Sequence, residues 1–119
     1  MAEMKMEVAV DQVAALAVEH WRMMTVLGPA LEAAGSGAAP VRHALRKMAD
    51  VLNAWEIEAR SLDGMPYDAG LAARVIDTVE APRGAGLKKG QMRIVETVSP
   101  LIVRGGEVVR TAEVVIEKG

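Results

Sequence analysis

The sequence contains no cysteine and no phenylalanine. Without cysteine the chain can form no disulfide, no zinc–thiolate site and no cysteine nucleophile, a composition that suits a reducing compartment. Its only aromatic residues are Trp21, Trp55 and Tyr67. Proteins that bind single-stranded nucleic acid stack bases on aromatic side chains, and three scattered rings make a poor platform for this. The core must therefore be built mainly from valine, alanine, leucine and methionine.

The chain also lacks an excess of either charge. It has 14 Lys and Arg against 16 Asp and Glu, a formal net charge of -2, which argues against nucleic acid or an anionic membrane as the main partner. No stretch approaches the roughly 18 uninterrupted apolar residues of a membrane span. The first eleven residues carry four charges, unlike a signal peptide. We therefore expect a cytoplasmic protein.

The composition of the chain changes near residue 61. The first half is rich in alanine, methionine and glutamate, and the second half in valine, isoleucine, glycine and threonine. This order predicts an α+β protein in which helices precede strands without βαβ alternation. We expect a helical dimerisation region over residues 1–61 and a small C-terminal β-sheet domain over residues 62–119.

Two helices are predicted in the first half. Residues 10–27 have an amphipathic pattern, after which Pro29 either kinks the helix or begins a new turn. Residues 40–60 predict a second helix whose apolar residues recur at spacings of 4, 3, 4, 3 and 4, a heptad seam that requires a partner helix. We expect two such hairpins to form a dimeric four-helix bundle. The predicted dimer interface consists of Val41, Leu45, Met48, Leu52 and Trp55 from this seam, which ends at Ala59, together with Trp21.

Short strands are predicted in the second half. Candidate strands cover residues 76–80, 92–98, 101–104, 107–110 and 111–117, and residues 81–90 form a loop. Gly105 and Gly106 form a two-residue link typical of a tight hairpin. In the last strand, Ala112, Val114 and Ile116 should share one face. Asp68 is expected to cap a short helical turn.

No catalytic or metal-binding pattern emerges from the residues that could carry one. His20 and His43 lie on different predicted helices without the spacing of metal ligands, so solvent-facing or interface histidines are favoured over a metal site. The carboxylate pairs at positions 56/58 and 63/68 lack a hydrophobic pocket visible in the sequence and are interpreted as surface charges. Residues 84–90 are rich in glycine and lysine but do not have the spacing of a phosphate-binding loop. We expect no enzymatic activity and no cofactor.

Four segments, taken in order, are similar to motifs of one known family. Residues 27–32 (Leu-Gly-Pro-Ala-Leu-Glu) are similar to its Leu-Leu-Pro-Val-Leu-Asp, and residues 50–55 (Asp-Val-Leu-Asn-Ala-Trp) to its Asp-Val-Leu-x-x-Phe. Residues 64–68 (Gly-Met-Pro-Tyr-Asp) are similar to Gly-x-Pro-Phe-Asp, and residues 109–116 (Val-Arg-Thr-Ala-Glu-Val-Val-Ile) to Leu-Arg-Pro-Ala-x-Val-x-Val. Across about residues 20–117, these motifs and the order of elements resemble GrpE, the nucleotide exchange factor of DnaK-type chaperone ATPases.

This resemblance implies a homodimeric co-chaperone that promotes ADP release by binding the chaperone's ATPase domain. By carry-over from the family, the chaperone-binding residues of the β-domain would be Arg110, Val108, Ala112, Pro66, Tyr67, Asp68 and Glu56.

The chain also departs from the family's motifs. Glu56 stands where the family has glycine at the junction between helices and β-domain, and residues 72–74, 99–100 and 111 differ from the family pattern. The resemblance also implies a long helical stalk before the segment interrupted by Pro29, and we expect this chain to lack most of it. These departures leave open an alternative, a dimeric scaffold or adaptor that kept the fold without exchange activity.

Overall fold

The computed structural model describes residues 9–119 and has an α+β architecture in which two helices precede two small sheets. The predicted fold class is confirmed at this level. The helices are α1 (Val10–Ala33) and α2 (Ala39–Ala54), joined by a 3-10 turn (Gly35–Ala38). The strands are β1 (Ile57–Arg60), β2 (Ala73–Glu80), β3 (Met92–Ser99), β4 (Leu101–Arg104), β5 (Glu107–Arg110) and β6 (Ala112–Lys118).

Helix α1 continues through the predicted interruption at Pro29 and ends at Ala33. Beyond the helix, Gly35 takes a positive φ of 59°, a conformation that glycine adopts without steric cost. The guanidinium of Arg42 in α2 donates hydrogen bonds to the carbonyl oxygens of Leu31 and Gly35, at 2.7 and 2.8 Å. The bond to Leu31 satisfies a carbonyl group in the last turn of α1, where helical N–H partners run out.

Helix α2 ends at Ala54, so the prediction that it continues to residue 60 is wrong. Residues 57–60 instead form β1, which pairs antiparallel with β4. Ile57 is buried in this strand, whereas Glu58 is exposed. The apolar residues of a short segment can satisfy a helical or a strand period, and long-range pairing decides between them. Ala59, the last residue of the predicted seam, therefore lies in a strand.

The remaining seam residues are partly used inside the chain. Leu45 and Leu52 are buried, and Leu52 belongs to a core cluster with Ala14, Ala17, Val18, Ile57 and Ile102. The Nε2 of the buried His20 donates a hydrogen bond of 2.8 Å to the carbonyl oxygen of Leu45. The two helices therefore pack against each other and against β1 and β4 within one chain.

The strands form two three-stranded sheets. The first sheet has the order β1-β4-β5 and is antiparallel, and the second has the order β2-β6-β3, with β2 parallel and β3 antiparallel to the central β6. The bounds of β4 and β5 agree with the prediction, and Gly105 and Gly106 have φ angles of 55° and 87° in the hairpin turn between them. Two consecutive positive φ angles are typical of the tight turn that matches the twist of a hairpin.

A second core cluster lies beneath the second sheet. Ala112, Val114 and Ile116 of β6 are buried there, as the alternating pattern predicted, together with Ile94 of β3. The predicted helical turn after Asp68 is a non-helical turn, in which the backbone N–H of Gly70 donates to Asp68 Oδ1 at 2.8 Å. The side chain of Asp68 thus stabilises a turn by a local hydrogen bond rather than capping a helix.

Candidate interaction surfaces

Strand β5 carries two of the exposed residues of the candidate chaperone-binding set. It forms one edge of the first sheet, and both Val108 and Arg110 are exposed on it. Val108 is 49% exposed, a large fraction for a valine in a strand. Ala112 is different, because it is completely buried in the core of the second sheet. Its candidacy as a contact residue is corrected on this point, since a side chain without accessible surface cannot touch a partner.

The segment 66–68 lies on the other sheet. Pro66 forms a bridge to Arg93 of β3, and the N–H of Tyr67 donates to the carbonyl oxygen of Met92 at 3.0 Å. The ring of Tyr67 packs against the core cluster of that sheet. The segment therefore covers the outer edge of β3 and supports the β-domain, whereas the residues of β5 lie on a separate sheet.

Glu56 has the most unusual backbone of the junction between helices and sheets. Its φ is 60°, and it is the only non-glycine residue with a positive φ between residues 9 and 119. Its N–H donates to the carbonyl oxygen of Asn53 at 2.9 Å, and its carbonyl oxygen accepts from the N–H of Gly105 at 3.2 Å. Arg104 Nε donates to the carbonyl oxygen of Trp55 at 3.2 Å. These bonds attach the end of α2 to the β4–β5 turn.

An apolar face of the helical hairpin remains exposed. Leu16 and Leu27 of α1 are exposed and lie three helical turns apart on one side of the helix. Val41 and Val51 of α2 are exposed as well, and so is Trp55, which directly follows the helix. Leu16, Met48 and Val51 line one hollow whose surface is almost wholly apolar.

This face agrees only in part with the predicted dimer interface. Val41 and Trp55 are exposed and Met48 is half-buried, but Leu45 and Leu52 are buried within the chain. The half-buried Trp21 lines a different hollow, beside Ile57 and Ala59. Sequence reasoning missed Leu16 and Val51. Positions 44, 48, 51 and 55 are spaced 4, 3 and 4 apart, which is a second heptad pattern that shares Met48 and Trp55 with the predicted seam.

Charged side chains form few strong interactions on these surfaces. On β1, Arg60 donates two hydrogen bonds to the carboxylate of Glu58, at 2.9 and 3.0 Å. These hydrogen bonds and the charge of Arg60 hold the pKa of Glu58 below its usual value, and Glu58 raises the pKa of Arg60. Both side chains are more than half exposed to solvent, so the pair contributes little to stability.

The residues considered for other chemistry are placed apart. His20 is buried between the helices, while His43 is exposed on α2. Over residues 9–119, no group of three or more histidine, aspartate or glutamate side chains could hold a metal ion. The glycine-rich residues 84–90 lie in the connection between β2 and β3, as predicted. In the same part of the chain no helix is long and apolar enough to cross a membrane.

Neither models of known protein families nor curated protein sequences give a significant match to this chain.

Proposed function

We propose that this protein is a GrpE-like co-chaperone, a nucleotide exchange factor that promotes ADP release from a DnaK-type chaperone ATPase. Such a protein breaks no bond. It binds the conformation of the ATPase domain with an open nucleotide cleft more tightly than the closed one, and this differential affinity lowers the affinity for ADP. The protein needs a rigid docking surface for this, and no catalytic group.

The observation that carries the proposal is the backbone conformation at position 56. The motifs of residues 27–116 resemble GrpE, and the family has glycine at the position of Glu56. The structure places a left-handed φ of 60° at that residue, a conformation that glycine adopts most readily. A family glycine and a left-handed residue at the same junction support the alignment independently of the motifs themselves.

We further propose that two chains associate through the exposed helical face to give a four-helix bundle. The face presents Leu16, Leu27, Val41, Val51 and Trp55, each at least 40% exposed. A concentration of exposed apolar side chains on one pair of helices is uncommon on monomeric proteins and supports an interface here. Placing a second copy on this face extends the two-helix hairpin in the manner of a bundle.

The exchange proposal is tested by the release of a fluorescent ADP from the cognate DnaK-type chaperone. We expect the wild-type protein to accelerate release and Arg110→Ala to reduce the acceleration. Arg83→Ala serves as the matched control, because Arg83 is an equally charged, exposed residue in the loop between β2 and β3. Absence of acceleration at saturating wild-type protein would refute the exchange function.

A dimeric scaffold without exchange activity is the second candidate. The burial of Ala112 favours it, because one of the residues expected to contact the chaperone has no accessible surface. This candidate predicts a dimer that does not retain the chaperone in a pull-down experiment. Recovery of the chaperone as the main bound protein would count against the scaffold.

A further inference from the structure

The second sheet has an outward face that the core does not use. Val114 and Ile116 of the central strand β6 are buried in the core, and Val115, which lies between them, points to the opposite side. Val115 is only half-buried. No described element of the chain supplies a core on this side, since neither core cluster includes Val115.

Both flanking strands are irregular directly opposite Val115. In β2 the register shifts at Ile76, so that Asp77 pairs with Val115, and in β3 it shifts at Val95, so that Glu96 pairs with the same residue. A β-bulge sets two residues of one strand against a single residue of its neighbour and re-aims their side chains. The two bulges therefore place four side chains around Val115, those of Ile76, Asp77, Val95 and Glu96.

The aliphatic members of this group are exposed. Ile76 is 44% exposed and Val95 43%. Val79, two residues beyond Asp77 on β2 and opposite Glu117, is 42% exposed. Together with Val115 they form an aliphatic patch across all three strands of the sheet.

Some of the carboxylates on this face are paired with an arginine and others are not. In the row on one side of Val115, Arg74 forms a salt bridge of 3.0 Å with Glu113, and in the row on the other side Arg93 is paired with Glu117. Within residues 9–119, Asp77 and Glu96 form no salt bridge. Because β2 and β3 are separated by one strand, the Cα atoms of Asp77 and Glu96 lie about 10 Å apart across the sheet. The central row thus consists of an acid, an aliphatic side chain and a second acid.

We propose that this face docks a basic and aliphatic segment of another protein. The segment would place two lysine or arginine side chains about 10 Å apart, opposite Asp77 and Glu96, and an aliphatic side chain between them against Val115. In the two neighbouring rows, Glu113 and Glu117 are each paired with an arginine of this chain. The basic side chains of the partner would give Asp77 and Glu96 the same kind of opposite charge. The surface lies on a different sheet from Val108 and Arg110 and is independent of the exchange proposal.

The test uses the whole protein and, as the probe, an acetylated, amidated, alanine-based helical peptide with lysine, leucine and lysine at positions i, i+3 and i+7, which share one face and place the lysines about 10 Å apart. We expect nuclear magnetic resonance shifts to concentrate at residues 75–79, 93–97 and 114–116, and binding to weaken at high salt. The variant Asp77→Asn/Glu96→Gln should bind about five- to tenfold more weakly, the effect of losing two exposed ion pairs. Ile76→Ser/Val95→Ser should also weaken binding, because it removes aliphatic contact area.

The matched control is Glu32→Gln/Asp50→Asn, which removes the same two charges from exposed positions on the helices. Its affinity for the peptide should stay close to that of the wild type. Equal weakening by both double variants would mean that the peptide responds only to net charge, and shifts centred on the helices would place it elsewhere. Either result would overturn the proposal. Because the assay contains no chaperone, its outcome is separate from the success or failure of the ADP-release experiment.

Discussion

At the scale of single residues, backbone conformation distinguishes two positions of the junction. Glu56 and Gly105 both have φ angles near 60°, and a hydrogen bond joins the N–H of Gly105 to the carbonyl oxygen of Glu56. Glycine adopts this region freely, whereas a residue with a Cβ atom pays a steric cost there. Substitutions at the two positions should therefore change stability in opposite directions.

Replacing Glu56 with glycine should stabilise the protein. Relief of the left-handed conformation is expected to raise the free energy of unfolding by about 0.5–1 kcal/mol, after the greater entropy of glycine in the unfolded chain is subtracted. Urea denaturation measures this change. Glu56→Ala is the control, because it removes the carboxylate but keeps the Cβ atom. If alanine and glycine stabilise equally, the side chain and not the backbone is responsible.

Replacing Gly105 with valine should destabilise the protein. A β-branched residue tolerates a positive φ poorly, so we expect a loss of about 1 kcal/mol or more in the free energy of unfolding. Gly37→Val is a suitable comparison, since Gly37 has no positive φ and open space where its Cβ would lie. A loss at position 37 as large as that at position 105 would contradict an explanation based on the hairpin turn.

The ion pair on β1 gives a prediction about pH. The pKa of Glu58 is lowered by hydrogen bonds from Arg60, so the pair favours the folded state when Glu58 is ionised. Its small contribution is present above the ordinary pKa of a glutamate and is lost as the pH falls through the lowered value. Titration of the Glu58 carboxyl by nuclear magnetic resonance should show a low midpoint, and Arg60→Ala should raise it. An unchanged midpoint would show that the two side chains do not interact in solution.

At the scale of elements, helix α2 has two apolar faces, and adjacent residues such as Val51 and Leu52 lie on different ones. Leu52 is 8% exposed and packs into the core beside Ile57 and Ile102, whereas Val51 is 59% exposed on the outer face. The heptad seam read from the sequence combined residues of both faces. Because only one of the two faces packs into the core of the chain, the same substitution on the two faces should have different consequences.

Leu52→Asp should unfold the chain or destabilise it by several kcal/mol, because it buries an unpaired carboxylate in the core. Val51→Asp should leave the fold intact and convert a dimer into a monomer. Circular dichroism reports the fold, and light scattering the molecular mass. A dimer that survives Val51→Asp would place the interface on another surface.

At the scale of the whole molecule, the chain divides its apolar residues between two cores and an exposed helical face. One cluster joins the helices to β1 and β4, and the other packs the second sheet against Leu101 and Val103 of β4. The principal extents of 65, 39 and 19 Å describe an elongated shape. Such a shape leaves much of the helical hairpin accessible, and our proposed dimer uses this surface.

Local sequence by itself determined much of this architecture. The change in composition predicted helices followed by strands, the pair Gly105-Gly106 predicted the hairpin, and the alternation in residues 112–116 predicted the buried face of β6. These features depend on the conformational range of glycine and on the side-chain period of a strand, which act over a few neighbouring residues.

Only the tertiary structure decided the end of α2, the order of the strands and the use of each apolar face. Residues 57–60 become a strand because β4, more than forty residues away, supplies their hydrogen-bond partners. The carboxylates of Asp77 and Glu96 flank Val115 only because β6 lies between β2 and β3. Pairing over such distances depends on the packing of the whole chain, which the local periodicity of a sequence does not encode.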